Sequence, residues 1–124
     1  MIELREYVRP DGSSPYRKWL SKIDAPMAIK VTAAQARLEL GNLSNIKWFD
    51  GIGEYRINWG PGVRIYLAQD GKQLIILFGG GTKKTQAADI KRAKVLLDEY
   101  KTRKKERKPE PETQQPKAKK RKKR

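Results

Sequence analysis

Apolar and polar residues alternate along the middle of the chain. From Glu54 to Trp59, the side chains of Tyr55, Ile57 and Trp59 fall on one face of an extended strand, and Glu54, Arg56 and Asn58 on the other, because successive side chains in a strand point to opposite sides. Val63 to Gln69 repeats the pattern, with Val63, Ile65 and Leu67 set against Arg64, Tyr66 and Ala68. Between them, Gly60-Pro61-Gly62 predicts a tight turn, proline fixing φ and glycine permitting positive φ. Asp70-Gly71 predicts a second hairpin. Gln73 to Phe78 is apolar in both phases, as in an interior strand, and Gly79-Gly80-Gly81 is expected to break it.

The flanking segments read differently. Ile2 to Val8 predicts a first strand, followed by a turn at Pro10-Asp11-Gly12. Ser14-Pro15 is a helix start: the hydroxyl caps a free amide, and proline in the first turn has no amide to leave unpaired. Tyr16, Trp19, Leu20 and Ile23 give that helix one apolar face. Asp24 and Pro26 start a second helix, in which Met27, Val31, Ala34 and Leu38 recur at helical spacing beside Ile29, Ala33, Ala36 and Leu40. Gly41-Asn42 ends it. Thr85 is the expected cap of a last helix, with Ile90, Ala93, Leu97 and Tyr100 on its buried side. The order β-α-α-β-β-β-α predicts a small α+β domain, a mainly antiparallel sheet with the helices packed on one face.

Composition sets the limits of this domain. The 124 residues suit one domain, and they carry 29 Lys+Arg against 14 Asp+Glu, a net charge of +15. Residues 101–124 hold 13 Lys+Arg and 3 Asp+Glu but no Val, Ile, Leu, Phe, Trp or Tyr. Such a segment cannot bury enough surface to offset its ordering entropy, so the domain is expected at 1–100 and a disordered basic tail at 101–124. That tail would attract any polyanion, without specificity of its own. With no His and no Cys, the chain has no disulfide, no zinc site of the Cys or His type and no His base or Cys nucleophile. Absence of Cys, of a signal-peptide pattern and of a long apolar run points to a cytoplasmic protein.

The candidate chemistry lies on the polar side of the two alternating strands. If their apolar rows face the helices, Glu54, Arg56, Arg64 and Tyr66 project from the opposite face, and the loop after the last strand adds Lys83 and Lys84. Arginine offers a planar fork to phosphate oxygens, and an aromatic ring offers an unpaired base a stacking surface. The same pattern fits a plain solvated sheet face. Gly79 to Thr85 is not a Walker A loop, since Lys83 stands where the glycine before the Lys-Thr pair belongs. The scattered aspartates, Asp11, Asp24, Asp50, Asp70 and Asp89, fit turn and cap positions rather than metal ligation, and Trp48-Phe49 is expected in the core.

The segment Gly53-Glu54-Tyr55-Arg56-Ile57-Asn58-Trp59-Gly60-Pro61-Gly62-Val63-Arg64-Ile65-Tyr66 resembles the centre of the RelE/ParE toxin superfamily, and within it the HigB-like addiction-module killer proteins. Gly80-Gly81-Thr82-Lys83-Lys84-Thr85-Gln86, Asp89-Ile90 and the Leu96 to Tyr100 pattern continue the likeness, as do Pro15, Trp19 and Leu20. It covers residues 1–100 and not the tail. The resemblance implies the toxin of a two-gene module, neutralised by a cognate antitoxin of helix-turn-helix type. It implies a ribosome-dependent mRNA endonuclease, with Arg64, Arg56 and one or both of Lys83 and Lys84 as catalytic residues. Tyr66 and Gln86 are expected on the substrate, and the reaction is expected to need no metal or cofactor. Attack of a 2′-hydroxyl on the adjacent phosphorus would need little more than orientation and fixed positive charge. Glu54, beside two arginines, is expected in a salt bridge rather than as the base. ParE-like relatives instead inhibit DNA gyrase without cleaving anything, and a nonenzymatic nucleic-acid-binding protein is the third alternative. Some nuclease relatives use a tyrosine or histidine near the last helix; here Tyr100 stands there and His is absent.

Overall fold

Ser14 and Asp24 start the helices expected of them. In the computed structural model, which describes residues 1–107, Ser14 Oγ accepts the Arg17 amide at 3.1 Å and Asp24 Oδ1 the Met27 amide at 2.9 Å. They open α1 (Pro15–Leu20) and α2 (Ala25–Glu39), each with a proline in its first turn. Gly41, at φ +85°, takes the left-handed position that closes α2.

The sheet has five strands: β1 (Glu3–Glu6), β2 (Ile46–Phe49), β3 (Ile52–Ile57), β4 (Val63–Gln69) and β5 (Leu74–Thr82). Their spatial order is β1-β5-β4-β3-β2; β1 lies parallel to β5, and every other pairing is antiparallel. The α+β class is therefore as expected. β2 is an addition: it pairs with β3 through a two-residue turn at Asp50 and Gly51, both at positive φ. That Asp-Gly pair is a hairpin signal of the same kind as Asp70-Gly71. Trp48, expected in the core, is instead 45% exposed on this edge strand, while Phe49 packs inward.

Two expectations are corrected. First, the helices do not share one face. α2 packs Val31, Ala34 and Leu38 against Tyr55, Ile65 and Leu67 on one side of the sheet. The last helix, α3 (Gln86–Arg107), packs Ala93, Leu96 and Leu97 against Ile52, Tyr66 and Phe78 on the other. β4 and the first half of β5 are buried on both faces, and an interior strand that is apolar in both phases requires a cover on each side. Second, Gly79-Gly80-Gly81 does not end β5. The strand runs through them to Thr82, and none has positive φ. Two of these glycines are there for close approach: a Cβ at Gly80 would lie 2.5 Å from the Trp19 ring, and one at Gly81 would lie 1.9 Å from Asp89 Oδ2.

α3 also passes the expected domain boundary at residue 100, so residues 101–107 are helical. Its far half ties back to the start of the chain. Tyr7 Oη donates to Glu99 Oε1 at 2.7 Å, Arg9 pairs with Glu99 at 3.0 Å, and Arg103 donates to the Val8 carbonyl at 2.7 Å. The disorder expected of the rest of the tail, 108–124, lies outside the described residues.

Candidate functional site

The strand register brings the predicted residues into a block. Glu54 of β3 stands opposite Tyr66 of β4, Arg56 opposite Arg64, and Arg64 opposite Gly81 of β5. Glu54 is the centre of the block and is only 1% exposed. Its Oε2 accepts the Gln86 side-chain amide at 2.7 Å and the Tyr66 hydroxyl at 3.2 Å; its Oε1 accepts Arg56 Nε at 3.2 Å. Arg64 Nε lies 3.7 Å from Oε2, an ion pair without a hydrogen bond. Burial pushes the Glu54 carboxyl up, but the bonds from Gln86, Arg56 and Tyr66 outweigh it and hold the group below the ordinary glutamate range. Glu54 is thus a fixed anion that organises two arginines, the salt-bridge role expected of it. Burial and the neighbouring Glu54 charge push the Tyr66 hydroxyl far above its ordinary value, so it stays a donor.

The two arginines differ. The Arg56 side chain is 50% exposed and that of Arg64 only 9%. Arg64 turns toward the β3–β4 turn, where Nη1 donates to the Gly62 carbonyl at 2.7 Å. The same carbonyl accepts the Lys83 backbone amide at 3.0 Å. Gly62 is needed there twice over: its φ is +78°, and a Cβ would lie 2.8 Å from Arg64 Nη1. The turn thereby holds the 3-10 segment Lys83–Thr85 next to the arginine pair, and the side chains of Lys83 and Lys84 are exposed. Thr85, expected to cap α3, donates its hydroxyl to Asp89 in the first turn of that helix, and Asp89 also pairs with Arg92.

Of the predicted site residues, Arg56, Arg64, Lys83 and Gln86 meet around Glu54 and the Gly62 carbonyl. Lys84 shares the 3-10 turn with Lys83. Tyr66 is a correction. Its ring is buried under α3 and offers no surface on which a base can stack, because the face expected in solvent carries a helix. Gln86 is half-buried and commits its amide to Glu54, so it holds the site together from within. A cleft of about 640 Å³ between α1 and α3, lined in part by Lys18, Trp19, Lys22, Gly79 and Arg92, had no periodic signal in the sequence.

Among the described residues no helix is long and apolar enough to cross a membrane, and no group of three or more His, Cys, Asp or Glu side chains is placed to hold a metal ion. No family model matches the chain. An uncharacterized protein of Haemophilus influenzae (strain Rd) is 45% identical over 86 residues, which cover 68% of this chain and 87% of that protein. At that identity and coverage, the chain belongs to the same family as the Haemophilus influenzae protein.

Proposed function

We propose that the protein is the toxin of a toxin–antitoxin module, of the RelE/ParE superfamily and its HigB-like group, and that it acts as a metal-independent endoribonuclease on mRNA at the ribosome. The observation that carries this reading is the cation cluster at the β3–β4 turn, where Arg56, Lys83 and Lys84 are exposed and Arg64 is locked behind them by Glu54 and the Gly62 carbonyl. Fixed positive charge at one end of a sheet suits a reaction in which the RNA 2′-hydroxyl attacks the adjacent phosphorus as the bond to the 5′-oxygen breaks, the 2′ proton passing to solvent water and the 5′-oxygen taking a proton from it, to leave a 2′,3′-cyclic phosphate. The protein orients the strand and stabilises charge on the phosphorus oxygens. Arg56 and Lys83 reach the nonbridging and leaving oxygens, Lys84 holds a flanking phosphate, and Arg64 adds its charge from behind. Glu54, held below the ordinary carboxylate range, is not the base. A cognate antitoxin of helix-turn-helix type would neutralise the toxin.

The near-complete burial of Arg64 and Tyr66 favours a second reading, in which the same cluster is a protein-docking patch and the target is DNA gyrase. One experiment separates the two. Arg56→Ala and Lys83→Ala alter exposed side chains and leave the fold intact. Under the nuclease reading each lowers ribosome-dependent mRNA cleavage by about 10²–10³-fold, the usual effect of removing one preorganised charge donor. Undiminished cleavage in the double variant overturns that reading. Growth arrest with intact messages and stalled replication supports the gyrase reading.

A further inference from the structure

α2 carries two apolar stripes, and the fold uses one. Val31, Ala34 and Leu38 face the sheet and are fully buried. Ile29, Ala33, Ala36 and Leu40 run along the outer side, at spacings of four, three and four residues. All four are exposed, Ile29 at 68% and Leu40 at 74%. Isolated exposed apolar residues are ordinary, but this alternation of four and three is the spacing that keeps side chains in line along a helix face. The stripe is about 17 Å long at 1.5 Å per residue, three turns of helix. Bulky residues stand at its ends and alanines between them, so a second helix could lie close at the middle and be held at both ends.

The flanks say what would cover it. At 3.6 residues per turn, Lys30 and Arg37 border one side of the stripe, and Thr32 and Glu39 the other. Arg37 donates Nε to the Tyr55 hydroxyl at 3.1 Å, which steadies its stem beside the stripe. A second copy of this chain is a poor match. An antiparallel pairing sets Lys30 and Arg37 against their own images, and two chains of +15 repel each other. We infer that the outer face of α2 is a docking site for one amphipathic helix of a partner protein, with apolar residues at the same four-three-four spacing and acidic residues along the edge that meets Lys30 and Arg37. This is the helix-in-groove mode of recognition with its anchors on a convex face. It is independent of the nuclease reading, since the stripe lies on the side of the sheet away from the arginine cluster.

The test uses the full chain and three synthetic helical peptides of about 21 residues, three heptads. One has Leu on the stripe and Glu on the flank, the second has Lys in place of that Glu, and the third scrambles the acidic sequence. The scramble controls for attraction to the basic tail. Fluorescence anisotropy should show saturable binding of the acidic peptide, at least about tenfold tighter than the scramble. Ile29→Lys and Leu40→Lys should each remove at least about tenfold of that binding, the worth of one large apolar side chain. Lys30→Glu should shift the preference toward the Lys-flanked peptide. Thermal melts followed by circular dichroism should be unchanged at these exposed positions. Equal binding of the acidic and scrambled peptides, or full binding by the Ile29→Lys, Leu40→Lys double variant, overturns the inference. A light-scattering mass twice that of one chain, reverting to one chain in the double variant, overturns it in favour of a second copy.

Discussion

The two faces of the sheet are covered by different means. Among the described residues, the surface buried under α1 and α2 is apolar apart from two tyrosine hydroxyls that bond at the margin to Gln35 and Arg37. Under α3 it divides. The far part of the helix covers Ile76, Phe78 and Tyr7, while Gln86 at its start joins the buried group of Glu54, Tyr66 and Arg64. A face that only needed to be stable would have no reason for the second arrangement, because apolar replacements of a buried ion pair are often as stable or more so. The contrast teaches that charge has been built into one end of one face, where it positions exposed cations, and excluded from the other.

Mutations can break that contrast or sharpen it. The largest loss of stability is expected from Leu38→Ala on the apolar face, about 2–5 kcal/mol by denaturant unfolding, with the geometry of the arginine cluster unchanged. Glu54→Gln should cost about 1.5–3 kcal/mol at neutral pH, since it removes the charge from hydrogen bonds that depend on it. The pH dependence has a definite sign. The folded-state Glu54 carboxyl lies below its ordinary value of 4.5, so its contribution is full above pH 4.5 and is lost as pH falls through the folded value. The stability difference between the wild type and Glu54→Gln should therefore shrink on acidification below pH 4.5; a constant difference would mean that the charge of Glu54 is idle. Gly81→Ala should cost about 1–3 kcal/mol, because its Cβ would overlap the Asp89 carboxylate and push the start of α3 off the sheet. Arg56→Ala should be the mildest, within about 1 kcal/mol, as its pair with Glu54 is half in water. If Arg56→Ala proves as damaging as Glu54→Gln, the division into an inner and an outer arginine fails.

Much of this was legible in the sequence. Helix starts were clear because Ser14-Pro15 and Asp24 with Pro26 combine a side-chain acceptor with a missing amide. The β3–β4 hairpin was clear because its two strands alternate strictly and the glycine-proline-glycine turn admits few geometries. The side of the sheet taken by α3 was not. Alternation reports which residues share a face, and Glu54, Arg56, Arg64 and Tyr66 do share one, yet it cannot report that a helix some 30 residues later will cover part of that face. The information lay elsewhere, in β4 and β5: a β5 with no polar phase demands two covers. β2 was missed for a local reason, since Ile46–Phe49 is four residues long, too short for a period, and only the Asp50-Gly51 turn announces it. The three glycines of β5 look like a loop until their neighbours Trp19 and Asp89 are known, since close approach over a distance leaves no mark on local pattern.

The parallel pairing of β1 with β5 carries a consequence for the order of events during synthesis. Residues 3–6 are made first, but the strand they pair with, residues 74–77, comes about 70 residues later, and the helix that clamps Tyr7 and Arg9 comes later still. At roughly 5–20 residues per second, the first strand waits about 4–14 s for its neighbour to be made. Contacts so distant along the chain are also slow to form. The arginine cluster needs Gln86 and Lys83 to set Glu54 and the Gly62 turn, so a nascent chain has no assembled site until most of the domain has left the ribosome. Assembly of the cation cluster waits on residues near the end of the domain.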